Sequence, residues 1–365
     1  SQDSIYLTYS DSLSETEVML NFLNSEGSQY LNSETMDRIN ELQSYDISEQ
    51  SLRNEIQRAI QKQFSKLSGK EREDAEEALQ SGIANYTNER KRKLTTTSIA
   101  KFDLDLNLKA EGEVPGKVND QFSLDQSDDG LRIATTVGNS WRFDIKSEND
   151  LYTLNKDLEI QGSVKGLGIN EEIYSTRYIQ DKAYIVTFRR VDPFHIIDLS
   201  DPENPEVKGE LKLPGFSSYL HPLQENRILG IGEENNSLKA VIFDVSEDEP
   251  EVQDSIVLDD YYSEISNSHH AFQVDKKSEV FFLPGTDGGH FFSYKEDLKQ
   301  VKKVNMSNVK RGSFVNENFY VFNDYKAAVV NIDNWKTVKK IQFRNRSAPV
   351  PLPLPEPLLE SRVNE

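Results

Sequence analysis

Hydrophobic positions along the chain follow two periods, and the period changes after residue 94. Between residues 12 and 94, apolar side chains recur every three or four positions, whereas from residue 98 onward they alternate with polar ones. The first period is typical of amphipathic α-helices, and the second is typical of β-strands that bury one face. The pattern therefore predicts a mainly β protein with one helical block near its start.

Capping residues mark where helices of this block begin. Ser14 with Glu17, and Ser68 with Glu71, each form a capping box, in which a hydroxyl and a carboxylate satisfy first-turn N–H groups. A further predicted helix carries one apolar stripe at four-residue spacing, made of Leu52, Ile56, Ile60 and Phe64. Because the other positions are mostly charged or polar, these narrow stripes must pack on one another or on the rest of the protein.

The β part of the sequence is built from repeated units of about 42–53 residues. The clearest unit, from Tyr174 to Gly215, predicts four strands over Tyr174–Gln180, Ala183–Phe188, Phe194–Leu199 and Glu206–Leu213. In the next unit, the stretch from Ile242 to Ser246 resembles the stretch from Ile196 to Ser200, 46 positions earlier. Four-stranded units of this length are the signature of β-propeller blades.

The first strands of the chain fit the same scheme. Ile5–Tyr9, Ser98–Leu104 and Leu108–Val114 are predicted to be the second, third and fourth strands of one blade, with the helices inserted between two of them. This gives six recognisable blade units, the first without its innermost strand, and closure with six, seven or eight blades stays open. The predicted organisation is a propeller over 1–345, a helical insertion over 12–94 and a proline-rich strap or linker over 346–365.

Long motifs give the chain a family resemblance. These motifs are the long segment IYSTRYIQDKAYIVTFRRVDPFHIIDLSDPENPEVKGELKLPG and, upstream of it, AEGEVPG, DQFSLDQ and ATTVGNSW. Together they resemble the secreted β-propeller domain family of bacteria and archaea, whose members are distant relatives of WD40 repeats. The resemblance spans nearly residues 5–345. It implies an extracellular or envelope-exposed propeller, attached to a membrane only through a segment absent from this chain. It implies no catalytic residues.

Composition narrows the classes of partner. The chain has 365 residues and a net charge of −20, which argues against nucleic acid because phosphates would be repelled. It contains no cysteine, which excludes disulfides, thiolate metal sites and cysteine nucleophiles. No apolar run is long enough to cross a membrane as a helix. The first ten residues lack the regions of a signal peptide, so we expect residue 1 to be a processing site or the boundary of a fragment.

The one strongly basic run, Arg90–Lys93, has two interpretations. It is either a site for an anionic partner or the C-terminus of a helix whose dipole the cations complement, and we favour the helix end.

No cofactor is indicated, and metal binding is not favoured at any motif. The loop from Asp198 to Pro205 offers oxygen ligands for calcium, but it lacks the spaced acidic pattern, so we interpret it as a turn stabilised by Asp side chains and proline. Adjacent His269 and His270 open a predicted strand, where they would face opposite sides and so not bind one metal together. His290 is interpreted as a turn residue.

The sequence favours a binding protein over an enzyme. It contains no nucleophile elbow and no phosphate-binding glycine loop, although a pair of carboxylates acting on a polysaccharide stays open. We therefore expect a non-catalytic scaffold for a protein or glycan ligand. The alternative is a hydrolase or lyase acting on polysaccharide or peptide in the central channel. The predicted ligand site combines inner-strand residues with loop tips, namely Arg177, Tyr219, His221, His270, Trp141, Arg189 and Arg190.

Overall fold

A computed structural model of the chain describes residues 3–138, 145–188, 191–224 and 226–343. It divides into two compact units, residues 1–259 and residues 260–365. We describe each unit separately. The predicted loop-tip residues Trp141, Arg189 and Arg190, and the proline-rich segment 346–365, lie outside the described residues.

The described residues of the first unit form four antiparallel sheets. A three-stranded sheet has the order β1-β2-β3, and three four-stranded sheets follow with β4–β7, β8–β11 and β12–β15 adjacent in chain order. The strands are β1 (Ile5–Ser12), β2 (Thr95–Phe102), β3 (Leu108–Pro115), β4 (Leu124–Gln126), β5 (Leu131–Val137), β6 (Glu148–Leu154), β7 (Ile160–Leu167), β8 (Glu172–Ile179), β9 (Lys182–Phe188), β10 (Val191–Asp198), β11 (Glu206–Pro214), β12 (Phe216–Pro222), β13 (Arg227–Glu234), β14 (Ser237–Asp244) and β15 (Glu251–Val257).

In the second unit, residues 260–343 form two further four-stranded antiparallel sheets, β16–β19 and β20–β23. Their strands are β16 (Gln273–Asp275), β17 (Val280–Pro284), β18 (Gly289–Ser293), β19 (Lys299–Val304), β20 (Arg311–Val315), β21 (Asn318–Phe322), β22 (Lys326–Asn331) and β23 (Thr337–Gln342). The predicted fold class is confirmed, because five four-stranded sheets follow one sheet that lacks a strand.

The helical block consists of α1 (Glu15–Glu26), α2 (Ser33–Gln43), α3 (Glu49–Phe64) and α4 (Gly69–Arg90). Both predicted capping boxes are present, at the starts of α1 and α4. The apolar stripes meet in one cluster that includes Phe22, Ile39 and Ile56, all fully buried. The helices therefore pack mainly on one another, as narrow stripes require.

These helices lie between two strands that pair with each other. β1 precedes α1 and β2 follows α4, and the two strands run antiparallel from Ile5 opposite Phe102 to Ser12 opposite Thr95. The backbone N–H of Leu13 donates to the carbonyl of Leu94, which closes the base of the block. The helical block is thus an excursion from a hairpin of the first sheet, and a long connection of this kind adds little loop-closure cost.

Apolar side chains fill the spaces between neighbouring sheets of the first unit. One cluster joins β8–β11 to β12–β15 through Tyr184, Phe194 and Phe243, and the last two rings stack 4.2 Å apart. Ile185 and Ile196, on the middle strands β9 and β10, are also fully buried. The middle strands β9, β13 and β14 each contain five or six consecutive buried residues, so they are covered on both faces rather than on one.

One predicted strand start is wrong. His269 and His270 lie in a short 3₁₀ helix, His269–Ala271, and the strand that follows begins only at Gln273. The preceding 3₁₀ turn, Glu264–Ser266, is capped by the Ser263 side chain, whose hydroxyl also donates to the distant carbonyl of Pro284 at 2.7 Å. Two successive 3₁₀ turns thus occupy the chain before β16, which has only three residues.

Candidate ligand-binding site

Three of the predicted site residues come together on the first strands of two neighbouring sheets. Arg177 lies on β8, and Tyr219 and His221 lie on β12. Arg177 Nε and Nη2 both donate to the carbonyl of Leu220, at 2.9 and 2.5 Å. Ser175 Oγ makes a parallel link to the carbonyl of Ser217 at 2.7 Å. The two inner strands are therefore joined side by side, and Arg177 is part of that joint.

The guanidinium of Arg177 is held between two aromatic rings. Its central carbon lies 4.1 Å from the ring centre of Phe122 and 5.4 Å from that of Tyr219. Phe122 comes from a 3₁₀ turn before β4, where Asp120 Oδ1 accepts the backbone N–H of Phe122 at 2.8 Å. Three successive sheets therefore contribute to one cluster, in which the cation faces aromatic rings at a favourable distance.

Burial shifts the proton affinities of this cluster. It lowers the pKa of Arg177, while Tyr219 and Asp120 act in the opposite direction. Burial also raises the pKa of Tyr219, and the nearby Arg177 opposes that rise. An arginine side chain stays protonated in proteins, so the cluster presents a fixed positive charge and a neutral phenol at physiological pH.

His221 extends the cluster along β12. Its Nδ1 atom lies 3.2 Å from Tyr219 Oη, and the two rings are nearly parallel with centres 6.2 Å apart. Both side chains are half-buried. The resulting arrangement offers a cation, a hydroxyl, an imidazole and aromatic faces within two adjacent strands. That set suits recognition of a ligand carrying one anionic group beside an apolar surface.

The cluster is described without the other predicted site residues. His270 belongs to the second unit, where it is exposed and its ring is tilted against that of His269, with ring centres 3.9 Å apart. Trp141, Arg189 and Arg190 fall outside the described residues, so their part of the prediction stays a prediction. Phe122 was missed as a site residue. The sequence motif DQFSLDQ contains it, but only the approach of β8 to the turn before β4 gives it a role.

A buried acid–histidine pair in the second unit was also missed. His290, predicted to be a turn residue, lies on β18, and its Nε2 atom is 3.0 Å from Asp260 Oδ2. The side chain of Gln300 contacts His290 Nδ1 at 2.8 Å. Asp260 also accepts the backbone N–H groups of three residues, Tyr261, Thr286 and Asp287. Both partners of the pair are almost fully buried, so the pair joins two segments rather than facing a ligand.

The basic run after α4 fixes the helical block to the next sheet. Arg92 donates to both carboxylate oxygens of Asp150, at 2.7 and 2.9 Å, and also to Glu148 at 3.1 Å. Lys91 pairs with the other oxygen of Glu148. Two of the four basic residues therefore neutralise acids of β6, which is a more specific role than complementing a helix dipole.

In the loop after β10, acidic side chains accept backbone hydrogen bonds that stabilise turns. Asp198 Oδ1 accepts the N–H of Ser200, and Asp201 Oδ1 accepts the N–H of Glu203, at 2.9 and 3.0 Å. This supports the interpretation of the loop as a turn stabilised by its own carboxylates. Within residues 3–138, 145–188, 191–224 and 226–343, no group of three or more His, Asp or Glu side chains could hold a metal ion. The described helices include none long and apolar enough to span a membrane.

Burial of the His195 side chain should make the stability of the folded protein depend on pH. Thr187 Oγ1 donates to Glu171 at 2.6 Å, so His195 Nε2 must donate to Thr187, which leaves Nδ1 unprotonated and buried with no partner among the described residues. Burial lowers the pKa of His195 below its usual 6.5. The unfolded state therefore binds the proton first, and folding stability falls as pH drops below about 6.5.

We expect unfolding free energies measured between pH 7 and pH 5 to fall more steeply for the natural protein than for His195→Gln. The difference in slope approaches, at most, about 1.4 kcal/mol per pH unit for one proton. Equal slopes for the two proteins would show that His195 gains no protection from protonation in the folded state.

Comparison with known proteins agrees with the sheet repeat. The profile of a family described as "Beta propeller domain" matches residues 1–345. The chain belongs to the β-propeller domain family. It is 36% identical over 345 residues to an uncharacterized protein of Archaeoglobus fulgidus and 35% identical over 350 residues to one of Methanocaldococcus jannaschii. Each alignment covers 94% of this chain, and the chain spans only 54% and 56% of those two relatives.

Among solved structures, this β-propeller chain is similar to AztD of Citrobacter koseri, with a TM-score of 0.45 and 13% identity over 68% of each chain. That similarity is too remote to inform a ligand or a function.

Proposed function

We propose that this propeller is a non-catalytic binding module of the cell envelope, and that its inner-strand cluster binds a sugar acid at the end of a glycan. The observation that carries the proposal is Arg177 held between Phe122 and Tyr219, where three sheets meet. The resemblance of the chain to secreted propellers supports the location at the cell envelope.

The chemistry of the cluster selects the ligand class. Nε and Nη2 of Arg177 already donate to the Leu220 carbonyl, so a carboxylate binds the remaining N–H groups of the guanidinium, on Nη1 and Nη2. The aromatic rings cover the apolar face of the sugar ring. Because the whole chain carries a charge of −20, a polyanion would be repelled over most of the surface. A ligand with a single carboxylate gains the contact with Arg177 and avoids most of that repulsion.

An affinity measurement tests the proposal. We expect a glucuronate-terminated oligosaccharide to bind, and Arg177→Gln to weaken binding about 10- to 100-fold, since hydrogen bonds to charged groups contribute about 1.5–3 kcal/mol. Isothermal titration calorimetry gives the dissociation constants. The same oligosaccharide with its terminal carboxylate reduced to an alcohol should show no difference between the two proteins.

Arg38→Gln is the matched control, because Arg38 is an exposed arginine of the helical block that pairs with Glu41. It should bind like the natural protein. If the acidic oligosaccharide binds the natural protein and Arg177→Gln equally well, the proposed site is wrong. If neither protein binds it, the proposed ligand class is wrong.

A further inference from the structure

The charge of the second unit differs from that of the whole chain. Residues 260–343 contain 12 lysines and arginines and 10 aspartates and glutamates, which gives a net charge of +2, whereas the whole chain carries −20. The rest of the chain therefore carries −22. An anionic ligand is repelled by most of this protein, and the second unit is where that repulsion is weakest.

A cavity of about 540 Å³ lies in this unit. Its lining includes Lys326 of β22, Lys340 and Gln342 of β23, and Asn305 and Ser307 of the loop after β19. Binding sites for small molecules have volumes of about 300–1,000 Å³. The cavity therefore has room for a small molecule and not only for an inorganic ion.

The two lysines lie on the same face of the sheet. In the ladder between β22 and β23, Lys326 lies opposite Gln342, and Ala328 lies opposite Lys340. Residues two positions apart in a strand share a face, so Lys326 and Lys340 are diagonal neighbours. Diagonal neighbours are about 7–8 Å apart, which long side chains span. Both ammonium groups can therefore contact one doubly charged group.

The donors around the cavity have no partner in the part of the chain that the structure describes. There, neither ammonium group forms an ion pair, and the side chains of Asn305, Ser307 and Gln342 form no hydrogen bond. Asp287, which also lines the cavity, pairs with Lys303 at 2.7 Å, so its charge is neutralised. Two cations, two amides and a hydroxyl are therefore available to a ligand.

We propose that this cavity binds a small phosphate monoester, namely a hexose phosphate. A phosphate monoester carries a charge of about −1.5 to −2 at pH 7 and three acceptor oxygens. These properties match two ammonium groups and the Ser307 hydroxyl, whereas a single carboxylate would leave one lysine without a partner. The side-chain amides of Asn305 and Gln342 each contain donors and an acceptor, which suits the hydroxyl groups of a sugar.

Isothermal titration calorimetry with glucose 6-phosphate tests the site. We expect Lys326→Gln and Lys340→Gln each to weaken binding about 3- to 10-fold, because each removes one cation from contact with a doubly charged group. Lys339→Gln is the matched control. It removes the same charge from the same strand, but Lys339 lies opposite Val329 and so belongs to the other face of the sheet. It should bind like the natural protein.

Titrations with inorganic phosphate and with glucose separate the two parts of the ligand. Inorganic phosphate should bind at least about tenfold more weakly than glucose 6-phosphate because it lacks the hydrogen bonds to the amides. Glucose alone should show no measurable binding. Equal weakening by all three lysine substitutions would indicate general attraction to a basic surface. That result, equal affinities for phosphate and glucose 6-phosphate, or no binding of glucose 6-phosphate would each overturn the proposal.

Discussion

In the Asp260→Ala variant, the second unit should unfold at a much lower denaturant concentration than in the natural protein. The expected loss of unfolding free energy is about 3–5 kcal/mol. The substitution removes the acceptor of His290 and of three backbone N–H groups in one step. The side chain of Asp260 is fully buried, so water does not replace it. Breaking a buried polar pair from one side carries a cost of this size because the remaining groups lose their partner.

Tryptophan fluorescence measures this effect in the correct unit. The chain has two tryptophans, and Trp335 packs 5.3 Å from Phe291 in the second unit. In a Trp141→Phe background, the urea transition of Trp335 reports on that unit alone. Asp287→Ala is the control, since Asp287 pairs with Lys303 but is 74% exposed, and it should cost less than about 1 kcal/mol. If the two variants lose similar amounts of unfolding free energy, the buried pair of Asp260 and His290 stabilises the second unit no more than an exposed ion pair does.

Asp150→Ala should destabilise the first unit by a similar amount, about 3–5 kcal/mol. Asp150 is fully buried and accepts two hydrogen bonds from Arg92, one from Tyr152 at 2.7 Å and one from the backbone of Gly166 at 3.0 Å. Its loss removes two of the three hydrogen bonds of Arg92 to acids of β6 and weakens the link between the end of α4 and β6, which then depends on Glu148 alone.

Two measurements separate this anchor from an ordinary surface pair. Urea unfolding should show the loss of stability, and limited proteolysis of the native protein should show faster cleavage near residues 88–94. Glu76→Ala, in the exposed pair between Arg72 and Glu76 on α4, should change the unfolding free energy by no more than about 0.5 kcal/mol. Unchanged cleavage in Asp150→Ala would show that Asp150 does not hold the helical block in place.

The repeat architecture could be predicted because local sequence patterns determine it. Strand alternation, turn residues and two capping boxes each depend on neighbours within a few positions. The structure places β1 and β8 within a few residues of the predicted bounds and contains both capping boxes. Position in a repeat also placed Arg177 and Tyr219 on inner strands of adjacent sheets. Periodicity therefore gave both the fold and part of the candidate site.

The missed features depend on residues far apart in sequence. Asp260 and His290 are 30 positions apart, and Arg92 and Asp150 are 58 apart, with no spacing rule connecting either pair. The histidine pair at 269 and 270 was assigned to a strand because alternation alone does not reveal side-chain caps such as that of Ser263. Such contacts depend on how whole sheets and turns approach each other, which local patterns do not encode.

The central claim is that the inner-strand cluster of this propeller is a ligand site. A crystal structure of the protein with the glucuronate-terminated oligosaccharide tests it most directly. The account predicts the carboxylate within hydrogen-bonding distance of the Arg177 guanidinium and the sugar ring against Phe122 or Tyr219. A well-ordered oligosaccharide bound anywhere else, with the cluster unoccupied, would contradict it.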